Sequence, residues 1–150
     1  MQINFVYSHV YFQMLNAHKK VDRTWEEVVR LGRSFEERYK REIKEIAETI
    51  PKVINQNWKE DVIDVYFVDW CGPSFSNPLT LKVREDLLLI LVILTHELIH
   101  HFKLDKPKGY EREKQINDYV EEVFKDLRIE ANSQIETMRS FSAKRYLNRE

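Results

Sequence analysis

Apolar positions along the chain follow three different rhythms. From Thr24 onward, Val28, Leu31, Phe35, Tyr39, Ile43, Ile46 and Ile50 recur at helical spacing. Thr24 followed three residues later by Glu27 is a capping-box pattern and predicts where that helix starts. Pro51 predicts its end or a kink, and "KVINQNWKE" reads as a connection of undefined form. A second rhythm belongs to short segments rich in β-branched and aromatic residues. "INFVYSHVYF" predicts one or two strands, "VIDVYFVDW" alternates as a strand does, and "LTLKV", Leu79 to Val83, is a short strand. Between the last two, "CGPSFSNP" has the composition of a loop. The third rhythm is no rhythm at all. Leu87 to Leu94 is apolar without interruption, which predicts a helix from about Arg84 to Leu104 that is covered on every side. "DKPKG" breaks the chain, "INDYVEEVFKDLRIEA" is helical again, and the remainder to Tyr146 predicts one more helix. No repeat and no linker divides these elements, so the expectation is a single α+β domain over residues 1–150.

Composition narrows the class. The chain is 150 residues long, 43% hydrophobic and 33% charged, which argues for a globular protein with a real core. The net charge is −1 with both signs spread along the chain, so no footprint for nucleic acid or an anionic membrane is visible. A single cysteine, Cys71, excludes an internal disulfide framework and a multi-cysteine zinc site. No segment predicts a membrane span or a signal peptide. The expectation is a soluble cytoplasmic protein without nucleic-acid or membrane partners.

The chemistry concentrates at the end of the most apolar segment, in "THELIHHF". His96 and His100 are four residues apart, and on a helix they share one face. Two imidazoles so placed can bind one tetrahedral zinc ion. Glu97, beside the first histidine, can reach a metal-activated water without taking a coordination position, which suits a general base. His-Glu-x-x-His is the zinc-peptidase signature. The plainer alternative is an ordinary helix end, where histidine complements the dipole. That alternative leaves unexplained two histidines and an acid at the inner end of a helix expected to be buried. His101 falls on another face and reads as a surface or supporting residue. A catalytic zinc needs a third protein ligand. The other histidines, His9 and His18, lie far upstream, and Lys106 stands where an all-histidine extension of the motif would place its last ligand. The third ligand is therefore expected to be a carboxylate on the next helix, with Asp118, Glu121, Glu122, Asp126 and Glu130 as candidates.

On these residues the chain resembles the gluzincin type of zincin metallopeptidase, and by its size the minigluzincins. The resemblance implies a small zincin-like domain: a few-stranded sheet packed on a long N-terminal helix, a zinc-binding helix and a following glutamate helix. In such proteins a Glu-x-x-x-Asp stretch on the following helix completes the site. Here Glu122 to Asp126 matches, beginning 22 residues beyond His100. The resemblance thus implies Glu122 as third zinc ligand and Asp126 as the residue that orients a ligand histidine, with Glu130 and Glu121 as alternatives to Glu122. It also implies hydrolysis of a peptide or unfolded protein, with Glu97 as general base, and an edge strand lining the cleft, for which "LTLKV" is the candidate. Tyr110, Arg139 and Tyr146 are equally available as oxyanion donors. Minigluzincins can be held latent by a terminal segment. In the tail "SFSAKRYLNRE", Tyr146, Leu147 or the carboxylate of Glu150 could fill that part, unless the tail is simply a packed last helix.

Three other classes remain compatible with the residues. One is a zinc-binding regulator or scaffold without turnover, another is a zinc hydrolase of a different amide, and the third is a helical interaction protein without metal.

Overall fold

The computed structural model describes residues 1–17, 21–70, 72–106 and 108–147. Among them the chain runs β1 (Gln2–Val6), α1 (His9–Asn16), α2 (Trp25–Ile54), β2 (Val62–Val68), β3 (Phe75–Ser76), β4 (Leu79–Lys82), α3 (Leu87–Ile99), α4 (Tyr110–Asp126) and α5 (Asn132–Leu147). It is an α+β fold with five helices and one four-stranded mixed sheet. The strand order is β1-β2-β4-β3. β1, β2 and β4 are parallel, and β3 returns antiparallel along the start of β4.

The inward residues of β2, Ile63, Val65 and Phe67, alternate with outward ones, as a half-buried strand requires. On the inner face Phe5, Phe35 and Phe67 pack ring against ring, joining β1, α2 and β2. Gly32 of α2 faces Tyr7 so closely that a Cβ would lie 2.7 Å from the tyrosine ring; only glycine lets the helix approach there. On the other face Tyr11 of α1 meets Tyr66 and shares a hydrogen bond with Thr80.

"SHVYF" is a helix start, not a strand. The Ser8 hydroxyl accepts the Tyr11 N–H and caps α1, and that cap prevails over the β-propensity of Val, Tyr and Phe. The capping box at Thr24 and Glu27 is present as the sequence predicts. Pro51 does not end α2. A proline leaves the carbonyl four residues back without its helical partner, and here the Trp58 indole N–H donates to that carbonyl, on Ala47, at 2.9 Å. The helix continues to Ile54 and stops at Asn55, which takes the left-handed conformation.

α2 packs against the sheet and against α3 and α4, while α5 covers α3 and α4. α3 is buried from Leu89 through Ile99, as its unbroken apolar run predicts. Asp86 caps it by accepting the Leu89 N–H at 3.1 Å. β4 is not an edge strand, because β2 lies on one side of it and β3 on the other. No helix among the described residues is long and apolar enough to cross a membrane.

Candidate metal centre

α3 ends in the site. His96 lies in its last turn and His100 is its C-cap, still with helical dihedrals, so the four-residue spacing keeps both imidazoles on one face. The ring nitrogens His96 Nε2 and His100 Nε2 are 3.2 Å apart. The third group comes from α4. Glu113 Oε2 lies 3.1 Å from His96 Nε2, and Glu113 Oε1 lies 3.5 Å from His100 Nε2. Four donors at zinc-like bond lengths of about 2.0–2.1 Å stand about 3.3–3.4 Å apart along the edges of a tetrahedron. The separation of the two histidine nitrogens is near that edge, and each of them has a different oxygen of Glu113 at a similar distance. His96, His100 and Glu113 therefore lie close enough to hold a metal ion.

A second layer orients the first. Asn117, one turn beyond Glu113, places its Oδ1 2.9 Å from His96 Nδ1. An amide oxygen only accepts, so Nδ1 carries a proton, and in the neutral ring it is the Nε2 lone pair that faces the site. The other end of the amide donates to Ser142 Oγ of α5 at 3.2 Å, which fixes which way the Asn117 side chain points. His96, Glu97, Glu113 and Asn117 are all buried.

The electrostatics follow from this crowding. Burial resists a charge on His96, but the hydrogen bond to Glu113 and the charges of Glu97 and Glu113 outweigh it, and its pKa is raised. Burial would raise the Glu113 pKa; the hydrogen bond from His96 and the two histidine charges bring it down instead. Burial, with the charge of His96 beside it, pushes His100 down to about 4, so its lone pair is free at neutral pH. Glu97 is pushed up to about 7 by burial, with Glu113 adding to the rise and His96 and Arg145 opposing it.

Two residues expected at the site lie elsewhere. Glu122 is exposed, and nine helical residues from Glu113 is half a turn out of phase, on the opposite side of α4. Asp126 is exposed at the end of α4, and Asn117 makes the bond to His96 for which Asp126 was the candidate. Glu130 is exposed beyond the end of α4. Asp118 and Glu121 both face Arg139, at 2.9 Å and 2.6 Å, which also commits Arg139 to the surface of α4 and α5. His101 points away, toward Glu60 and the Ser76 carbonyl. His9 stacks on Trp25. Cys71, His18 and Glu150 lie outside the described residues.

The start of α4 is what the sequence pattern missed. Gly109 has φ +110°, a conformation open to glycine, and its carbonyl accepts the Glu113 N–H at 3.2 Å. The helix thus begins at Tyr110, six residues before Ile116. The signal was present. Extending the apolar stripe of Ile116, Val120 and Val123 back by one turn passes through Glu113, and Asn117 lies on the same stripe.

A cavity of about 500 Å³ opens beside the triad. His96, Glu97 and Glu113 line it from α3 and α4, and Met138, Phe141, Ser142, Lys144 and Arg145 line it from α5. Tyr110, Arg139 and Tyr146 are not among its lining residues. The tail from Ser140 to Leu147 continues α5 as a helix, and Leu147 is 54% exposed, so it fills no pocket.

No family model matches the chain, and no curated protein or solved structure matches it either.

Proposed function

We propose that the protein is a zinc-dependent peptidase of the zincin kind, with His96, His100 and Glu113 as the ligands and Glu97 as the general base. The observation that carries this reading is the clustering of two imidazoles and one carboxylate within reach of a single metal ion, with an independent carboxylate, Glu97, in the same cavity. Two imidazoles and one carboxylate are the donor set of a catalytic zinc site, which leaves a fourth position for water or substrate. A divalent ion held there would supply the Lewis acidity that polarises a carbonyl and acidifies a water molecule.

The chain's own residues supply the rest. Asn117 holds His96 in the tautomer that presents Nε2. Glu97, its pKa raised chiefly by burial, is suited to take a proton from water and return it to the departing amine. Burial of the site excludes bulk water and strengthens these charges.

The test is a pair of substitutions on protein loaded with stoichiometric zinc. Glu97→Gln should keep the metal and lose hydrolysis of an unstructured casein substrate by at least about a hundredfold. Glu113→Gln should lose the metal itself. Zinc-loaded Glu97→Gln protein that cuts casein at the original rate would remove Glu97 from the mechanism. Stoichiometric zinc with no cleavage of any peptide would favour a binding or scaffold role.

A further inference from the structure

The cavity beside the triad is cationic in a way the proposed chemistry does not require. Arg84 enters it from the segment before α3, and Lys144 and Arg145 enter from α5. None of the three has a carboxylate within ion-pair distance among the described residues. Asp69, the acid whose charge reaches Arg84, is committed elsewhere. It accepts the backbone N–H groups of Asp22 and Arg23 and faces the Arg23 guanidinium at 3.8 Å. The Nε of Arg84 is buried with no hydrogen-bond partner among the described residues, and its guanidinium lies over the Phe141 ring at 5.1 Å. A buried guanidinium N–H without an acceptor is costly.

Two hydroxyls add to the pattern. Ser74 Oγ accepts the Lys82 N–H at 3.0 Å, and Ser142 Oγ accepts from Asn117. Neither hydroxyl hydrogen has an acceptor among the described residues, so both can be donated to a ligand. The charge balance points the same way. With a divalent ion at the triad, Glu97 and Glu113 together would offset it; Lys144 and Arg145 are exposed to water, whereas the half-buried Arg84 is left without a carboxylate partner among the described residues.

We propose that this cavity is a carboxylate-binding subsite, in which Arg84 and Arg145, helped by Ser74 and Ser142, hold an acidic group of the substrate. This rests on the peptidase reading and names its substrate class: peptides with an aspartate or glutamate near the scissile bond, or with a free C-terminal carboxylate there. Both sources offer the same planar anion to a guanidinium fork.

The experiment uses the zinc-loaded full chain and matched fluorogenic peptides. One pair differs by Glu against Gln at a single internal position, scanned along the peptide. The other differs by a C-terminal carboxylate against a carboxamide. A charge-assisted hydrogen bond predicts a kcat/KM ratio of at least about tenfold for the acidic member, expressed mainly in KM. Preference confined to the internal pairs assigns the subsite to a side chain, and preference confined to the terminal pair assigns it to the chain end. Arg84→Gln should bring the ratio toward one, Arg84→Lys should keep part of it, and Arg145→Gln should lower it if the Arg84 variants do not fold.

Binding of the same labelled peptides to zinc-loaded Glu97→Gln protein, read by fluorescence anisotropy, is independent of turnover. Tighter binding of the acidic member that Arg84→Gln removes supports the subsite even where no peptide is cut. Cleavage and binding that are equal for acidic and amide members would overturn the subsite and leave the peptidase reading standing.

Discussion

The two sides of α4 carry the same kind of residue and put it to opposite use. On the inner side, Glu113 is buried against two histidines and has its pKa drawn down by them. On the outer side, Asp118 and Glu121 are solvated and share Arg139, and Glu122 is exposed. What distinguishes these carboxylates is helical phase, not their distance in sequence from His100. A carboxylate on the buried stripe must have a partner, whereas one on the solvated face has water.

The comparison is broken or sharpened by substitution on each side. Glu113→Gln is expected to weaken zinc binding by more than about a hundredfold, because a ligand contributes more than its support does. Glu122→Gln should leave the affinity unchanged. Isothermal titration of stripped protein measures both, and the reverse pattern would return the third ligand to the outer face.

Asn117 tests the inner side one layer further out. Asn117→Ala removes the acceptor of His96 Nδ1–H and should cost roughly 10–100-fold in zinc affinity. An affinity equal to that of the unaltered protein would mean the His96 ring is held by packing alone.

The next effect is on pH dependence. In the metal-free protein the raised pKa of His96 contributes stability that is complete below its ordinary value of 6.5 and is lost as pH rises through the folded value. Glu97, raised from 4.5 to about 7, acts in the same direction. His100, lowered to about 4, has given its whole contribution by pH 6.5 and does not change above it. Metal binding must displace the His96 proton, so loading improves as pH rises. The Tm difference between zinc-loaded and stripped protein should therefore widen from about pH 6 to about pH 8, by roughly 2–4 °C for each kcal/mol involved. A gap that is constant or narrows contradicts the assignment of His96.

The smallest effect belongs to the outer face. Arg139→Ala breaks exposed ion pairs and should cost no more than about 1 kcal/mol in urea unfolding, with zinc affinity untouched. A loss of several kcal/mol would mean that the α4–α5 surface is less solvated than its exposure indicates.

These contrasts also explain what the sequence made legible. His96, Glu97 and His100 could be found because their relation is contained in one helical turn. The burial of α3 could be found because an unbroken apolar run has only one physical outcome. Glu113 is hidden by a hydrophilic first turn, "YERE", following a break, so the pattern places the helix start at Ile116 and points only to later carboxylates. α1 was obscured by residues that favour strands, where a single serine cap decided otherwise. β3 has two residues, too few for any periodicity, and without it β4 reads as an edge. Pro51 reads as an end or a kink because the compensating donor, Trp58, lies beyond it in the chain.

The parallel pairing of β1 with β2 has a further consequence, for the order in which the molecule assembles. Asn4 bonds Asp64 across sixty positions, so docking the first strand closes a long loop, at an entropic cost of about 4 kcal/mol. α3, α4 and α5 are consecutive and meet through much shorter closures. Such local contacts favour an early nucleus built from these three helices, with β1 joining afterwards. Stopped-flow chevrons should then show Leu94→Ala slowing refolding and Phe5→Ala chiefly accelerating unfolding. The N-terminal strand of this sheet would be among the last to find its place.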